Sequence, residues 1–175
     1  MHPEWIIVDG YELMFRGLKR DCGLKAARDE RARSDLSGLL ARYAAYRQCR
    51  MSVVYEGDDK TDKLPAETRV GPATVILTRD RRKAWKEIER MAASSANPNG
   101  VMLVASHPAL GDLCGKIGCV VVEPRGFFDQ VQALLDSEGS GAPGEPHEKY
   151  SEVSNPAEVQ MWKNIFSKPP DNRKR

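Results

Sequence analysis

At 175 residues the chain is long enough to bury one sizeable core, with some length left over for a tail. Charged residues make up 30% and apolar ones 41%; a net charge of only +2 excludes a polybasic nucleic-acid binder or membrane-surface protein, so any basic footprint must be local. The opening Met1-His2-Pro3-Glu4 lacks the positive start of a signal peptide, and no apolar run approaches membrane-spanning length, so a cytoplasmic protein without a membrane partner is expected.

The first element is the run Trp5-Ile6-Ile7-Val8-Asp9-Gly10-Tyr11. It is short, apolar and β-branched, and an Asp-Gly pair cuts it off, which predicts a buried parallel strand carrying a carboxylate to its C-terminal end. Open α/β sheets hold their ligands at that edge. Asp9 there either helps to hold a divalent cation or caps the turn that follows.

Leu13 to Lys25 reads as irregular, with Gly17 and Gly23 breaking a short helical turn. A long helix is predicted from Ala26 to Gln48, with Leu36, Leu39, Leu40, Tyr43, Ala44 and Arg47 on one stripe. Its opening, Arg28, Asp29, Glu30, Arg31 and Arg33, reads as solvated. Met51 to Tyr55 is the second strand, and Glu56, Asp58 and Asp59 follow it at the edge that Asp9 occupies if the strands are parallel. Lys60 to Pro72 is polar and reads as an exposed loop before a third strand, Ala73 to Thr78.

The next helix is predicted over Arg79 to Ser94, with Ala84, Ile88, Met91 and Ala92 inward. Arg79, Arg81, Arg82, Lys83, Lys86 and Arg90 crowd its start and outer face. They form either a phosphate-binding patch or a solvated face that Asp80, Glu87 and Glu89 partly neutralise. After the turn Asn97-Pro98-Asn99-Gly100 comes a strand from Val101 to Ala105 and then a short helix opened by Ser106-His107-Pro108, with Ser106 as its cap. Cys119 to Val122 is the fifth strand, and Pro124 opens a helix carrying Phe127, Phe128, Val131, Leu134 and Leu135. Cys22, Cys49, Cys114 and Cys119 form no C-x-x-C pair and no zinc-ligand spacing, and are expected as reduced thiols, with Cys49 and Cys119 as small core fillers.

Strands alternating with helices imply an α/β domain over residues 1–137, built on a mainly parallel five-stranded sheet with helices on both faces. Residues 138–155 read as a polar linker rich in Gly, Pro, Ser and Glu. Residues 156–175 read as an amphipathic helix, with Val159, Trp162, Ile165 and Phe166 on one side, and a basic tail.

In this order the residues resemble a family. Ile-Ile-Val-Asp-Gly-Tyr-Glu is similar to the opening motif of YacP-like NYN-domain proteins, bacterial relatives of the PIN-domain ribonucleases, whose version ends in Asn where Glu12 stands. The similarity extends over Leu39 to Tyr55, Val75 to Ala92, Val101 to Leu135 and the C-terminal helix. It implies a Rossmann-like PIN/NYN fold and, in active members, RNA cleavage dependent on a divalent metal. Such chemistry needs several carboxylates converging on Mg²⁺ or Mn²⁺, which binds oxygen and activates a water.

By this resemblance Asp9 is the first acidic position, and Glu56 stands where many relatives have Asp. The third position, in a Thr-Ala-Asp motif, reads Lys83-Ala84-Trp85, and the fourth, in a Ser-Asp motif, reads Ser106-His107. An indole N–H only donates, and imidazole favours later transition metals over Mg²⁺. The resemblance therefore implies Asp9 and Glu56 as a catalytic pair, with Asp9, Glu12 and Glu56 as a reduced metal set for Mg²⁺ or Mn²⁺ if that site survives. Asp58, Asp59 and Asp112 are the carboxylates left to complete it.

Trp85 and His107 would offer flat surfaces for an unstacked base, flanked by Arg79, Arg81, Arg82, Lys83, Lys86 and Ser106; alternatively Trp85 fills space and His107 bonds locally. The expected partner is RNA or a ribonucleoprotein such as the ribosome, with no DNA specificity. The leading expectation is binding with weak or lost nuclease activity. A metal-dependent endoribonuclease and a protein-interaction module using the C-terminal helix are the alternatives.

Overall fold

Four of the five residues of β1 (Trp5–Asp9) are buried, and this strand lies inside the sheet, where continuous β-branched runs belong. The computed structural model describes residues 2–17, 30–57, 66–79 and 82–138. After β1 come α1 (Gly10–Glu12), continued by a π-helical turn over Leu13–Gly17, and then α2 (Glu30–Arg47), β2 (Arg50–Glu56), β3 (Glu67–Val70) and β4 (Ala73–Thr78). The second half adds α3 (Ala84–Ala93), β5 (Val101–Val104), α4 (Pro108–Ile117), β6 (Val120–Val122) and α5 (Pro124–Glu138). The chain divides inside α5 into two compact units, Met1–Val131 and Gln132–Arg175.

The sheet runs β3-β4-β2-β1-β5-β6 and is parallel except for the antiparallel β3–β4 pair. From β1 the chain builds outward through β2 to β4, then returns to add β5 and β6 on the other side. The order therefore reverses between β1 and β5, and the crevice beyond their C-terminal ends is where ligands of open α/β sheets bind.

Strand alternation sorts the helices onto two faces. Ile7, Val54, Val101 and Leu103 point to one face and form a core with Ala84, Ile88, Met91 and Ala92 of α3 and Leu110 and Cys114 of α4. Tyr55 and Leu77 point to the other, where the Tyr55 hydroxyl lies 3.3 Å from Ser37 Oγ of α2 and the rings of Tyr43 and Phe127 join α2 to α5 edge to face at 5.4 Å. Each fully buried aliphatic side chain in such a core contributes roughly 1.5–3 kcal/mol.

The expected α/β class and mainly parallel sheet with helices on both faces are present, with six strands rather than five among the described residues. The extra strand, β3, lies in what the composition marks as the loop Lys60 to Pro72. Its outer position explains the misreading: three of its four residues are exposed, so it needs no apolar alternation, only backbone pairing to β4. The pair is closed by Gly71-Pro72, with Gly71 at φ +57, a conformation that glycine adopts without strain.

Three further expectations change. Residues 10–17 are helical throughout rather than irregular from Leu13, and Arg33, read as solvated, is buried, donating to the Tyr11 hydroxyl at 3.4 Å. The helix predicted from Arg79 starts at Ala84, and the Arg82 carbonyl just ahead of it accepts from Thr78 Oγ1 at 2.6 Å instead of from a helical N–H. Cys114 and Cys119, expected as thiols, form a disulfide, since the turn after α4 brings their Cα atoms to 4.5 Å, while Cys49 is a buried thiol. Arg81, Asp58, Asp59, Cys22, the N-terminal part of the predicted 26–48 helix, the linker and the C-terminal helix lie outside the described residues. No helix among the described residues is long and apolar enough to cross a membrane.

Candidate functional site

Three chain ends meet at the C-terminal edge of the sheet: β1 running into α1, the start of α3 and the start of α4. Asp9 ends β1 and caps α1, its Oδ1 accepting the Glu12 N–H at 3.0 Å. Gly10 follows because Tyr55 leaves no room for a side chain, a Cβ there falling 2.2 Å from the ring. Asp9 is 7% exposed. Burial pushes its carboxyl up to about 7, against the opposing Glu12 N–H, and the charges of Glu12 and Glu56 raise it further.

Glu12 turns toward β5. Its Oε2 accepts the Ser106 N–H at 2.5 Å and the Ser106 hydroxyl at 2.8 Å, stitching α1 to the crevice at the point of strand reversal. Glu56, the last residue of β2, turns toward α3: it accepts the Ala84 N–H at 3.3 Å and Lys83 Nζ at 3.3 Å. Lys83 is the N-cap residue of α3 and makes no side-chain cap bond, so Glu56 supplies the acceptor for that terminus.

His107, not Ser106, caps α4, its Nδ1 accepting the Ala109 N–H at 3.3 Å. A ring nitrogen that accepts a hydrogen bond carries no proton, which in the neutral ring leaves the proton on Nε2. The His107 ring stacks on Trp85 with centroids 4.2 Å apart and planes 8° apart. The fold does unite these two residues, as expected, but as one stacked pair rather than as two separate platforms. Trp85 also packs on the core beneath α3, and Lys86 Nζ lies 4.3 Å from its centroid.

The expected basic surface is largely ion-paired. Arg82 meets Glu87 at 3.0 Å, Lys83 meets Glu56, and Lys86 meets Glu89 at 3.0 Å. Arg79 and Arg82 line a different cavity, beside β4, with Glu87 and Arg90. Sequence reasoning treated Glu87 as one of several neutralising charges. It is a buried carboxylate clamped by Arg82 and Arg90, and hydrogen bonding from Arg90 holds it below the usual carboxylate range. The three-residue spacing of Glu87 and Arg90 was its available sequence signal.

Hard oxygen donors such as Asp9, Glu12 and Glu56 suit Mg²⁺ or Mn²⁺ chemically. Their arrangement does not fit such an ion, because Glu12 and Glu56 diverge toward Ser106 and α3 and Asp9 caps α1. Among the described residues no three His, Cys, Asp or Glu side chains converge on one cation position. Asp112, a remaining carboxylate, is exposed on α4.

A mainly parallel sheet with its order reversal beside β1 and an aspartate at the end of that strand define an open α/β domain with its ligand edge at that reversal. The family model of the YacP-like NYN domain matches residues 6–167, and the chain belongs to this family. Two crystal structures of Rae1 (YacP) from Bacillus subtilis share the fold. One, of a tryptophan-to-leucine mutant, aligns with a TM-score of 0.58 and 19% identity over 94% of this chain and 98% of that one. The other aligns with a TM-score of 0.58 and 18% identity over 93% and 87%. No curated protein matches the sequence.

Proposed function

We propose that this NYN domain binds RNA or a ribonucleoprotein at the C-terminal edge of its sheet and has weak or lost nuclease activity. One observation carries the reading: at the two positions where the family resemblance calls for carboxylates, a Trp85–His107 stack stands instead. The remaining acids support it, since Glu12 and Glu56 accept hydrogen bonds from Ser106 and α3. Replacing two carboxylates by rings also lowers the repulsion that an RNA phosphate would meet at this edge. Lys83 and Lys86 are more than half exposed and only surface-paired, so they can exchange a carboxylate for a phosphate at little cost.

The test is an anisotropy titration of labelled single-stranded RNA at two salt concentrations, with and without Mn²⁺, beside Lys83→Gln/Lys86→Gln. Binding that weakens steeply with salt and on the double substitution, with the RNA left intact, is expected. Absent or salt-insensitive binding overturns the reading. Mn²⁺-dependent cleavage abolished by Asp9→Asn would replace it with an active endoribonuclease, the alternative favoured by the mutual repulsion of Asp9, Glu12 and Glu56.

A further inference from the structure

On the face of the sheet that carries α3 and α4, no helix among the described residues covers the margin formed by β4 and β3. β4 follows β3 after a two-residue turn, so that connection supplies no helix. The two helices on this face pack over Ile7, Val54 and Leu103 of the inner strands, and Ile76 of β4 is only partly buried. What remains is a groove between α3 and the sheet edge, made of two adjoining cavities of about 280 and 290 Å³ that share Glu67, Ile76 and Arg90.

Five arginines line it, Arg50, Arg69, Arg79, Arg82 and Arg90, against two carboxylates, Glu67 and Glu87. Strand register sets the spacing: Arg69 is opposite Thr74, which is opposite Ser52, so a guanidinium and two hydroxyls form one row across the floor. At one end Arg50 lies over the Trp5 ring, 4.0 Å from its centroid, while the indole N–H donates to Ser52 Oγ at 3.1 Å. That stacking holds the Arg50 fork in place before any ligand arrives. At the other end Arg82 and Arg90 share Glu87 while their side chains remain 56% and 61% exposed. The groove follows β4 from Thr74 to Thr78, about 16 Å at strand rise, and its lining reaches Arg79 just past the C-terminal end of that strand.

We infer that this arginine-lined groove binds the phosphate backbone of single-stranded RNA, as a track leading to the edge at which the bases are held. The inference deepens the RNA-binding reading and rests on it. Guanidinium forks match phosphate oxygens bidentately, and serine and threonine hydroxyls donate to phosphate as well. A linear row of cations along an extended groove suits a polymer with regularly spaced charge. The guanidiniums and the partly exposed Thr74 hydroxyl supply the polar contacts, so these are to backbone and carry no sequence preference.

The experiment is an anisotropy titration of the full chain with labelled oligouridylate of about 12 nucleotides, within the range of single-strand sites. Arg50→Gln/Arg69→Gln is measured beside Arg69→Glu and beside Lys83→Gln/Lys86→Gln of the edge. Arg69 is on an exposed edge strand, and unchanged unfolding midpoints would verify folding. The groove double variant is expected to bind about tenfold or more weakly, with the salt slope reduced by about 1.4 for two lost single-strand contacts. Arg69→Glu should weaken binding further, and Glu67→Gln should strengthen it.

If the wild type binds RNA and the groove variants match it in affinity and slope, the track is overturned while the edge reading stands. If the wild type binds no RNA, both fall. Displacement of the RNA by polyglutamate at equal charge concentration would assign the groove to acidic protein segments and overturn the RNA assignment.

Discussion

Asp9 and Glu87 are equally buried, each 7% exposed, yet they are held in opposite states. Asp9 closes β1 among other acids, and burial drives its carboxyl up to about 7. Glu87 sits on α3 between Arg82 and Arg90, whose hydrogen bonds hold it below the carboxylate range. Burial penalises both anions; the neighbours decide the outcome. The neighbours of Asp9 thus favour its neutral form, whereas the two guanidiniums beside Glu87 favour its anion. A shift of the first kind is characteristic of functional edges, and matching of the second kind builds scaffold.

The contrast is broken most strongly at Asp9. The native state holds its proton up to about pH 7 and the unfolded chain only to about 3.8, so the folded form binds more protons between those values and stability falls as pH rises through that window. Asp9→Asn keeps the oxygen that caps α1 and removes the charge. At pH 8.5 it should stabilise the domain by up to about 4 kcal/mol, from a shift of about three units at ~1.36 kcal/mol each. Below pH 4 the gain should vanish. Urea unfolding across pH reads this directly, and a variant no more stable than wild type at pH 8.5 would show that Asp9 is relieved by a cation or by solvent.

Gly10→Ala probes the packing that seats this edge. An added methyl overlaps the fully buried Tyr55 ring, and the expected loss is about 3 kcal/mol, at the upper end for overpacking. Pairing the substitution with Tyr55→Leu should recover part of it; no recovery would place the strain in the backbone instead.

Glu87→Gln tests the matched region with the opposite pH sign. The charge of Glu87 stabilises the fold above its unfolded value of 4.5, and that contribution is lost as pH falls through its lower native value. The substitution should cost about 1–2 kcal/mol at neutral pH, reduced by the exposure of both arginines. The cost should shrink in acid, and a cost independent of pH would mean that Glu87 acts through shape alone.

The smallest effect is expected at His107. His107→Ala removes a ring stack and an N-cap at once and should cost about 1 kcal/mol, while His107→Asp restores the cap but not the stack. Equal thermal midpoints for the two variants would mean that the cap contributes nothing. Recovery to the wild-type value in His107→Asp would leave the stack without a structural role.

Local sequence was sufficient wherever one periodicity governed a whole element. Trp5 to Val8, Met51 to Tyr55, Ala73 to Thr78 and Val101 to Val104 announced themselves as strands because each is a β-branched run ended by a polar residue or a turn. Asp9 and Glu56 fell on one edge as soon as the strands were parallel. The family resemblance carried by Asp9-Gly10-Tyr11 marked Trp85 and His107 as the departures before any coordinates.

Tertiary structure decided the rest, because these features depend on partners distant in the chain. Nothing near Glu12 indicates that its carboxylate goes to Ser106, 94 residues on. The stacking of Trp85 on His107 requires the starts of α3 and α4 to meet at one edge. Arg82 and Lys83 carry no helical period of their own, and the hydrogen bond from Thr78 to the Arg82 carbonyl is not legible in them. Arg50, Arg69 and Arg90 are scattered through the sequence and share a groove only through strand register and the placing of α3 beside β4. Sequence alone determined five of the strands and the mainly parallel sheet, since those follow from local periodicity, and the family resemblance marked the surviving acids. Which side chain each acid and arginine would face was decided by the packing of helices over the sheet, the step that converts separation along the chain into contact in space.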